Sequence, residues 1–111
     1  MWRLVVRPQV EDDLVEASLW YDKKQIGLGD QFLAGYVAAI YRILEHPWLF
    51  SIAANGIRPC LIKRFSHIIH FTVEDDQIIV IAVMNAARDD ASSFIFFPKR
   101  VRTFSETQSL R

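Results

Sequence analysis

The apolar residues of this chain fall first into a short run and then into two stripes with helical spacing. Residues 2–6 form the run and read as a strand. Pro8 suits the first turn of a following helix, because its missing N–H costs nothing there. Two stripes with spacings of three and four residues then predict two helices. The first stripe is Val10, Leu14, Ala17 and Tyr21, and the second is Phe32, Tyr36, Ile40 and Ile43.

Glycine and proline set the expected ends of these helices. The segment Gly27–Gly29 ends the first helix and permits a sharp turn. Asp30 follows directly and is the predicted N-cap of the second helix. That helix is expected to stop near His46, because Pro47 disfavours helical geometry in the residue before it.

The pattern changes to strands in the second half of the chain. Residues 61–62, 68–73 and 78–83 are rich in β-branched and aromatic side chains and too short for helices. Residues 74–77 are polar and predict a tight turn between the last two strands. The run 78–83 is apolar on both faces and is placed centrally in the sheet. The order β-α-α-β-β-β predicts an α+β domain, with a helical hairpin packed on a mainly antiparallel sheet.

Length and charge narrow the class of protein. The 111 residues are 51% hydrophobic and 23% charged, which suits one globular domain. We expect residues 1–98 to form that domain and residues 99–111 to form a basic C-terminal tail. The 13 Lys and Arg residues balance 13 Asp and Glu residues, which argues against a general nucleic-acid binder.

Two further features of the sequence indicate the cellular compartment of the protein. No apolar run reaches the about 18 residues that span a bilayer, so we expect no membrane association. Cys60 is the single cysteine, so no disulfide forms within the chain. A cytoplasmic protein is the resulting expectation.

The histidines and carboxylates do not form a metal-binding pattern. His67 and His70 are three residues apart in a predicted strand and point to opposite faces, so they cannot share a metal ion. We expect one of them to be exposed and the other to be partly packed. With no second cysteine and no paired carboxylates at ligand spacing, the sequence predicts no metal site and no cofactor.

Trp20 and Tyr21 lie side by side on the first predicted helix. Adjacent helical residues point about 100° apart, so one ring is expected to pack on the sheet and the other to border it. The pair therefore predicts core and rim packing in preference to base stacking.

Several short motifs occur in a recognisable order between about residues 4 and 90. They are Trp20-Tyr21, Gly27-Leu28-Gly29-Asp30-Gln31-Phe32, His46-Pro47, Arg58-Pro59, Lys63-Arg64-Phe65 and Val83-Met84-Asn85-Ala86-Ala87-Arg88. In content and spacing the chain resembles the ParE/RelE superfamily of small bacterial toxins. It is most similar to ParE-like members and to proteins called plasmid stabilisation proteins. The fold of that superfamily has the element order inferred above.

The resemblance implies the toxin component of a type II toxin–antitoxin system, which causes growth arrest until a cognate antitoxin wraps over it. ParE-like members are associated with blocking DNA gyrase, whereas RelE-like members cleave messenger RNA on the ribosome. The implied assembly is a homodimer or a toxin–antitoxin hetero-oligomer. This chain has Asn85 where members commonly have histidine, and Asp90 where they commonly have proline.

A ribonuclease needs a base, an acid and positive charge at the phosphate. If this protein cleaves RNA, Arg58, Arg64 and Arg88 are the residues expected to supply the charge. The proton-transfer groups look absent, since all three tyrosines fall on predicted helices and Phe94 has no hydroxyl. The sequence therefore favours a toxin that acts by binding, with no assigned catalytic residue. A RelE-like endoribonuclease and a non-toxic member that retains antitoxin binding are the alternatives.

Basic and aromatic residues form the predicted contact surface for the antitoxin or the target. Arg58 and Arg64 have the same parity in an extended segment, so they are expected to share one sheet face, which Arg88 reaches from a neighbouring strand. The alternative is a set of solvated charges at the sheet edge. The apolar tail 94–97 is expected to be a docking strand or the edge of a groove. The predicted binding residues are Arg58, Lys63, Arg64, Arg88, Phe94 and Phe96.

Overall fold

In the computed structural model, which describes residues 2–86, two helices pack on a four-stranded sheet. The elements are β1 (Arg3–Val6), α1 (Pro8–Lys24), α2 (Leu28–Glu45), β2 (Arg58–Leu61), β3 (His67–Glu74) and β4 (Gln77–Asn85). The sheet order is β1-β4-β3-β2, with β1 parallel to β4 and the other pairs antiparallel. The predicted element order, the mainly antiparallel sheet and the central position of β4 are all confirmed.

The helix ends agree with the glycine and proline pattern except at one cap. α1 begins at Pro8, and α2 ends at Glu45 with His46 as its C-cap, as predicted. The prediction that Asp30 caps α2 is wrong. The helix begins at Leu28, and its N-cap is Gly27. A carboxylate from the other helix fills the role instead, since the Gly29 N–H donates to Asp22 Oδ1 at 2.8 Å.

Gly29 also sets how closely α1 and α2 approach. A Cβ at this position would lie 2.4 Å from the Ser18 carbonyl oxygen and 2.9 Å from the Asp22 carboxylate. Backbone atoms of a packed helix cannot move aside easily, so the hairpin requires glycine here.

The two predicted stripes form the helix side of the core. The rings of Tyr21 and Phe32 stack with centroids 5.1 Å apart where the hairpin meets the sheet. The other buried residues of this core include Val10, Ala17, Ala39, Ile40, Ile43, Cys60, Ile62, Ile69, Phe71, Ile78, Val80 and Val83.

A bulge in β4 gives the opposite face of the sheet its own small apolar cluster. His70 pairs with Ala82 and Phe71 pairs with Val80, which leaves Ile81 as the extra residue. Ile81 and Ala82 consequently lie in a second cluster that also contains Ile57. Both faces of the central strand are therefore buried, as the double-sided apolar pattern predicted.

The two strand histidines are both buried, so the expectation that one is exposed is wrong. His67 is 6% exposed and His70 is 1% exposed. They do lie on opposite faces, but each face is covered. His67 packs against the ring of Phe32 on the helix side, with centroids 5.2 Å apart, and His70 lies beside Ala82 on the other face.

The free energy of unfolding is predicted to decrease as the pH falls below neutrality, because His70 is buried in its neutral form. Burial lowers the pKa of this histidine from 6.5 to about 4, so the unfolded chain binds its proton first. The contribution of the neutral ring is complete above pH 6.5 and is lost as the pH falls towards 4, at a cost of about 3 kcal/mol.

Denaturant unfolding between pH 4 and pH 7 measures this effect. His70→Gln should flatten the pH dependence, and the matched change His46→Gln, at an exposed helix end, should leave it as in the wild type. Equal pH slopes for the wild type and His70→Gln would contradict the assignment.

Candidate functional site

Two of the predicted binding residues lie in the segment between β2 and β3, residues 62–66, which we call the basic loop. Lys63 and Arg64 are both exposed there. β2 ends at Leu61, so the argument that Arg58 and Arg64 share a strand face is wrong. The alternating geometry of a strand stops before residue 64, whose φ of +71° lies in the left-handed region.

Arg58 has partners within the chain, away from the basic loop. Its guanidinium donates to the Phe50 carbonyl oxygen and lies 5.0 Å from the centroid of the Trp48 ring. Trp48 in turn contacts Trp2 edge-on, with centroids 5.8 Å apart. Arg58 therefore ties the turn after α2 to the start of β2.

Arg64 lines a groove of about 470 Å³ between α2 and the basic loop, which we call the α2 groove. Its lining contains three cations and no carboxylate. The lining residues are Gln31, Ala34, Gly35, Ala38, Arg42, Lys63, Arg64 and Phe65. The groove thus combines positive walls with a floor of small side chains.

Helix periodicity explains one wall of the α2 groove, and close packing explains how the loop reaches it. Gln31, Ala38 and Arg42 are separated by seven and four residues and so share one face of α2. A Cβ on Gly35 would lie 3.0 Å from Ile62 Cγ2, so glycine lets the basic loop pack tightly on the helix. Arg42 Nη2 donates to the Leu61 carbonyl oxygen at 3.1 Å and fixes the end of β2.

The hydroxyl of Tyr21 holds the basic loop from beneath. Ser66 donates its N–H to Tyr21 Oη at 3.0 Å, and the same oxygen lies 3.0 Å from His67 Nδ1. Ser66 Oγ donates to Asn85 Oδ1 at 3.1 Å. Tyr21 therefore joins α1 to the loop and to the start of β3, and Ser66 joins the loop to the end of β4.

Aromatic packing supplies the second anchor of the loop. The Phe65 ring meets Tyr21 and Phe32 edge-on, with centroids 4.9 Å and 5.5 Å away. Tyr21 is buried, whereas Trp20 is 40% exposed at the rim. The predicted division of this pair into core and rim is confirmed.

The lining of the α2 groove carries positive charge and no carboxylate. It contains no histidine, tyrosine or cysteine either, which leaves Lys63 as the one lining side chain of a type used in general acid–base catalysis. Burial raises the pKa of the nearby Cys60 thiol, which Arg42 only partly offsets, and this keeps the sulfur from acting as a thiolate nucleophile. Burial likewise raises the pKa of Tyr36.

The described residues form neither a metal-binding cluster nor a membrane-spanning helix. Among residues 2–86, no group of three or more His, Cys, Asp or Glu side chains is placed to hold a metal ion. No helix in this part of the chain is long and apolar enough to span a bilayer.

Three predicted site residues, Arg88, Phe94 and Phe96, lie outside the described residues, as do Asp90 and the predicted tail 99–111. Their assignments stay predictions. The α2 wall of the groove contains no motif and was not among the predicted site residues. The signal that was available is the set of small or polar residues at positions 31, 34, 35, 38 and 42, on the helix face beside the apolar stripe.

The architecture of the described residues matches that of a solved structure. A solved structure described as the chromosomal ParDE TA system from P. aeruginosa matches this chain with a TM-score of 0.69. The match covers 77% of this chain and 96% of that chain at 13% sequence identity. No protein-family model matches the sequence, and no curated protein matches it either. The chain therefore has the ParE-like fold: a helical hairpin on a mainly antiparallel sheet.

Removing the Tyr21 hydroxyl is predicted to loosen the basic loop. Tyr21→Phe leaves the part-buried Ser66 N–H without its acceptor and takes a partner from the buried His67, and this should cost about 1–3 kcal/mol. Denaturant unfolding measures the loss, and amide hydrogen exchange should show faster opening at Ser66 than in β3.

Tyr41→Phe is the matched control, because that ring is 64% exposed and should lose its hydroxyl with little effect. Slow exchange of the Ser66 amide in Tyr21→Phe would show that the loop does not depend on this bond.

Proposed function

We propose that this protein is the toxin component of a type II toxin–antitoxin system of the ParE type. It acts in the cytoplasm by binding its target, for which DNA gyrase is the candidate, and a cognate antitoxin neutralises it. The observation that carries the proposal is a groove walled by cations on a ParE-like fold. The solved structure with this fold is described as a ParDE toxin–antitoxin system, which supports an antitoxin as the partner.

Binding is favoured over RNA cleavage because the groove offers positive charge without a histidine or a carboxylic acid. Arg42, Lys63 and Arg64 supply positive potential for an anionic partner. General acid–base catalysis draws most often on histidine, and the groove lining contains neither a histidine nor an aspartate, glutamate, tyrosine or cysteine. The Tyr21 hydroxyl is engaged in holding the basic loop.

The proposed contact residues are Lys63 and Arg64 in the basic loop, with Arg58 at the start of β2. Arg88, Phe94 and Phe96 complete the proposal on the C-terminal side. Arg58 contributes differently from the two loop cations, since its guanidinium already contacts Phe50 and Trp48. Its replacement should affect stability as well as binding.

Induction in a bacterial host tests the function directly. We expect growth arrest that co-expression of the neighbouring gene product reverses, with both proteins co-purifying. The purified protein should inhibit supercoiling by DNA gyrase, and primer extension should show no codon-phased cuts in messenger RNA. Lys63→Gln with Arg64→Gly should weaken gyrase inhibition, while Lys23→Gln with Lys24→Gln, at the exposed end of α1, should not.

Two outcomes would refute the binding toxin. Codon-phased cuts on translating ribosomes would establish a RelE-like endoribonuclease with the ribosome and messenger RNA as partners. Co-purification of the neighbouring gene product without growth arrest would identify a non-toxic member that retains antitoxin binding.

A further inference from the structure

We infer that residues 94–97 of the chain's own C-terminal segment bind the open edge of β1 as a fifth, antiparallel strand of the sheet. The inference concerns the free protein and stands or falls independently of the toxin function. Phe94 and Phe96 are then covered by the chain itself. A partner that contacts them has to release the segment first, which lowers the apparent affinity of that partner.

The two edges of the described sheet differ in whether they can accept another strand. The sheet order places β1 at one edge and β2 at the other. The Ile62 N–H donates to His67 in β3, so alternation turns the backbone groups of Pro59 and Leu61 to the outer edge of β2. Pro59 has no N–H, and the Leu61 carbonyl oxygen accepts from Arg42 Nη2. The β2 edge therefore lacks one donor, and one of its acceptors is already used.

The β1 edge presents both backbone groups and apolar side chains. The N–H groups of Arg3 and Arg7 donate towards β4, so alternation directs the N–H and C=O groups of Leu4 and Val6 outward. The side chains of these two residues are 38% and 42% exposed, although their neighbours in β4 are fully buried in the main core. One more strand would extend that core and pair the open edge.

The segment 94–97 matches this edge in length and in the spacing of its aromatic residues. It has four residues, as β1 has. Antiparallel pairing places Phe94 opposite Val6 and Phe96 opposite Leu4. Both rings then lie on the face of the two half-exposed apolar side chains, because directly opposite residues share a face of the sheet.

The length of the chain allows this pairing, and a proline ends it. Eight residues lead from Ala86, just beyond β4, to Phe94 and span up to about 27 Å. The position opposite Val6 is about 22 Å away, since it lies six residues back along the sheet and two strands across. A segment that returns in this way runs antiparallel to both β4 and β1. Pro98 falls at the next position that has to donate, and it has no N–H.

Charge favours the same direction. Residues 74–76, in the turn between β3 and β4, are all acidic and exposed, and Arg3 lies beside them because its N–H donates to the Asp76 carbonyl oxygen. Residues 99–102 carry three cations. The antiparallel pairing brings these cations to the acidic turn, whereas a parallel pairing would carry them to the other end of the sheet.

Tethering favours the chain's own segment over the same segment of a second copy. Residues 87–93 connect it to the described part of the chain. A connection this short gives an effective concentration of about 1 mM at the edge. A second copy at micromolar concentration competes poorly with that.

Pairs of cysteines in the full-length chain test the pairing. In a Cys60→Ala background, Val6→Cys with Phe94→Cys should form a disulfide within one chain under mild oxidation, because opposite residues have Cα atoms about 5.5 Å apart. The matched control, Val6→Cys with Ile95→Cys, should react at least about tenfold more slowly, because residue 95 points to the other face. Non-reducing electrophoresis separates a link within one chain from a link between two.

Amide hydrogen exchange tests the same pairing without cysteines. We expect the Leu4 and Val6 amides of the ¹⁵N-labelled chain to exchange at least about tenfold more slowly in the wild type than in Phe94→Ser with Phe96→Ser. The Arg7 amide, which donates to β4, should exchange equally in both and serves as the internal reference.

Matched variants separate the roles of the aromatic residues and of the charges. Phe104→Ser removes a phenylalanine beyond the segment and should leave exchange at the β1 edge as in the wild type. Lys99→Glu with Arg100→Glu should speed that exchange. Lys23→Glu with Lys24→Glu makes the same change in net charge at the exposed end of α1 and should not.

Several results would overturn the inference. Equal rates for the two cysteine pairs would show that the segment has no fixed register on β1, and a disulfide between two chains would assign the edge to a second copy. Fast exchange of the Leu4 and Val6 amides in the wild type would leave the edge unpaired. Slow exchange that persists in the double serine variant would mean that another strand covers it. Growth arrest is not a readout of these experiments, so none of these results bears on the toxin function.

Discussion

The hydroxyl of Tyr21 is the contact on which the candidate site depends. It lies on α1, yet it accepts the Ser66 N–H of the basic loop and meets His67 at the start of β3. A loop that carries Lys63 and Arg64 would otherwise be free to sample many positions, and ordering long cationic side chains costs entropy. The buried hydrogen bonds offset part of that cost before any partner binds, which is the general advantage of a preorganised site.

Close approach at two glycines makes this anchoring geometrically feasible. Gly29 lets α2 lie against the backbone of α1, and Gly35 lets Ile62 of the basic loop lie against α2. The same helix then presents Arg42 beside the loop cations. The same helix therefore packs against the loop through Gly35 and contributes Arg42 to the groove.

Much of the fold was predictable because it follows from periodicity. The apolar stripes of α1 and α2 and the double-sided apolar run in β4 specify which surfaces must be buried, and those predictions hold. Two local predictions failed because tertiary contacts replaced the expected local ones. Asp22 reaches across from α1 to the start of α2, in place of the expected cap by Asp30. The second apolar cluster covers the face of the sheet that carries His70, so neither strand histidine is exposed.

The site was less predictable than the fold, for a physical reason. Alternation along a strand would place Arg58 and Arg64 on the same face only if the strand extended as far as residue 64. The strand β2 ends at Leu61, so this rule does not apply to Arg64. The groove floor consists of Ala34, Gly35 and Ala38, which form no chemical motif, so the groove becomes visible only when the fold places them beside the basic loop. The Trp20-Tyr21 pair signalled packing, but its hydrogen bonds to residues about 45 positions later are tertiary and leave no local pattern.

A double-mutant cycle on the affinity for DNA gyrase, measured by inhibition of supercoiling, tests most directly whether Tyr21 acts on binding through the basic loop. Tyr21→Phe is measured in the wild-type chain and again in a chain with Lys63→Gln and Arg64→Gly, where the loop no longer carries its cations. The account predicts that Tyr21→Phe weakens binding in the wild-type chain and has no further effect in the second. Equal losses in both chains would contradict it, because the tyrosine would then act on affinity by a route that does not involve the loop.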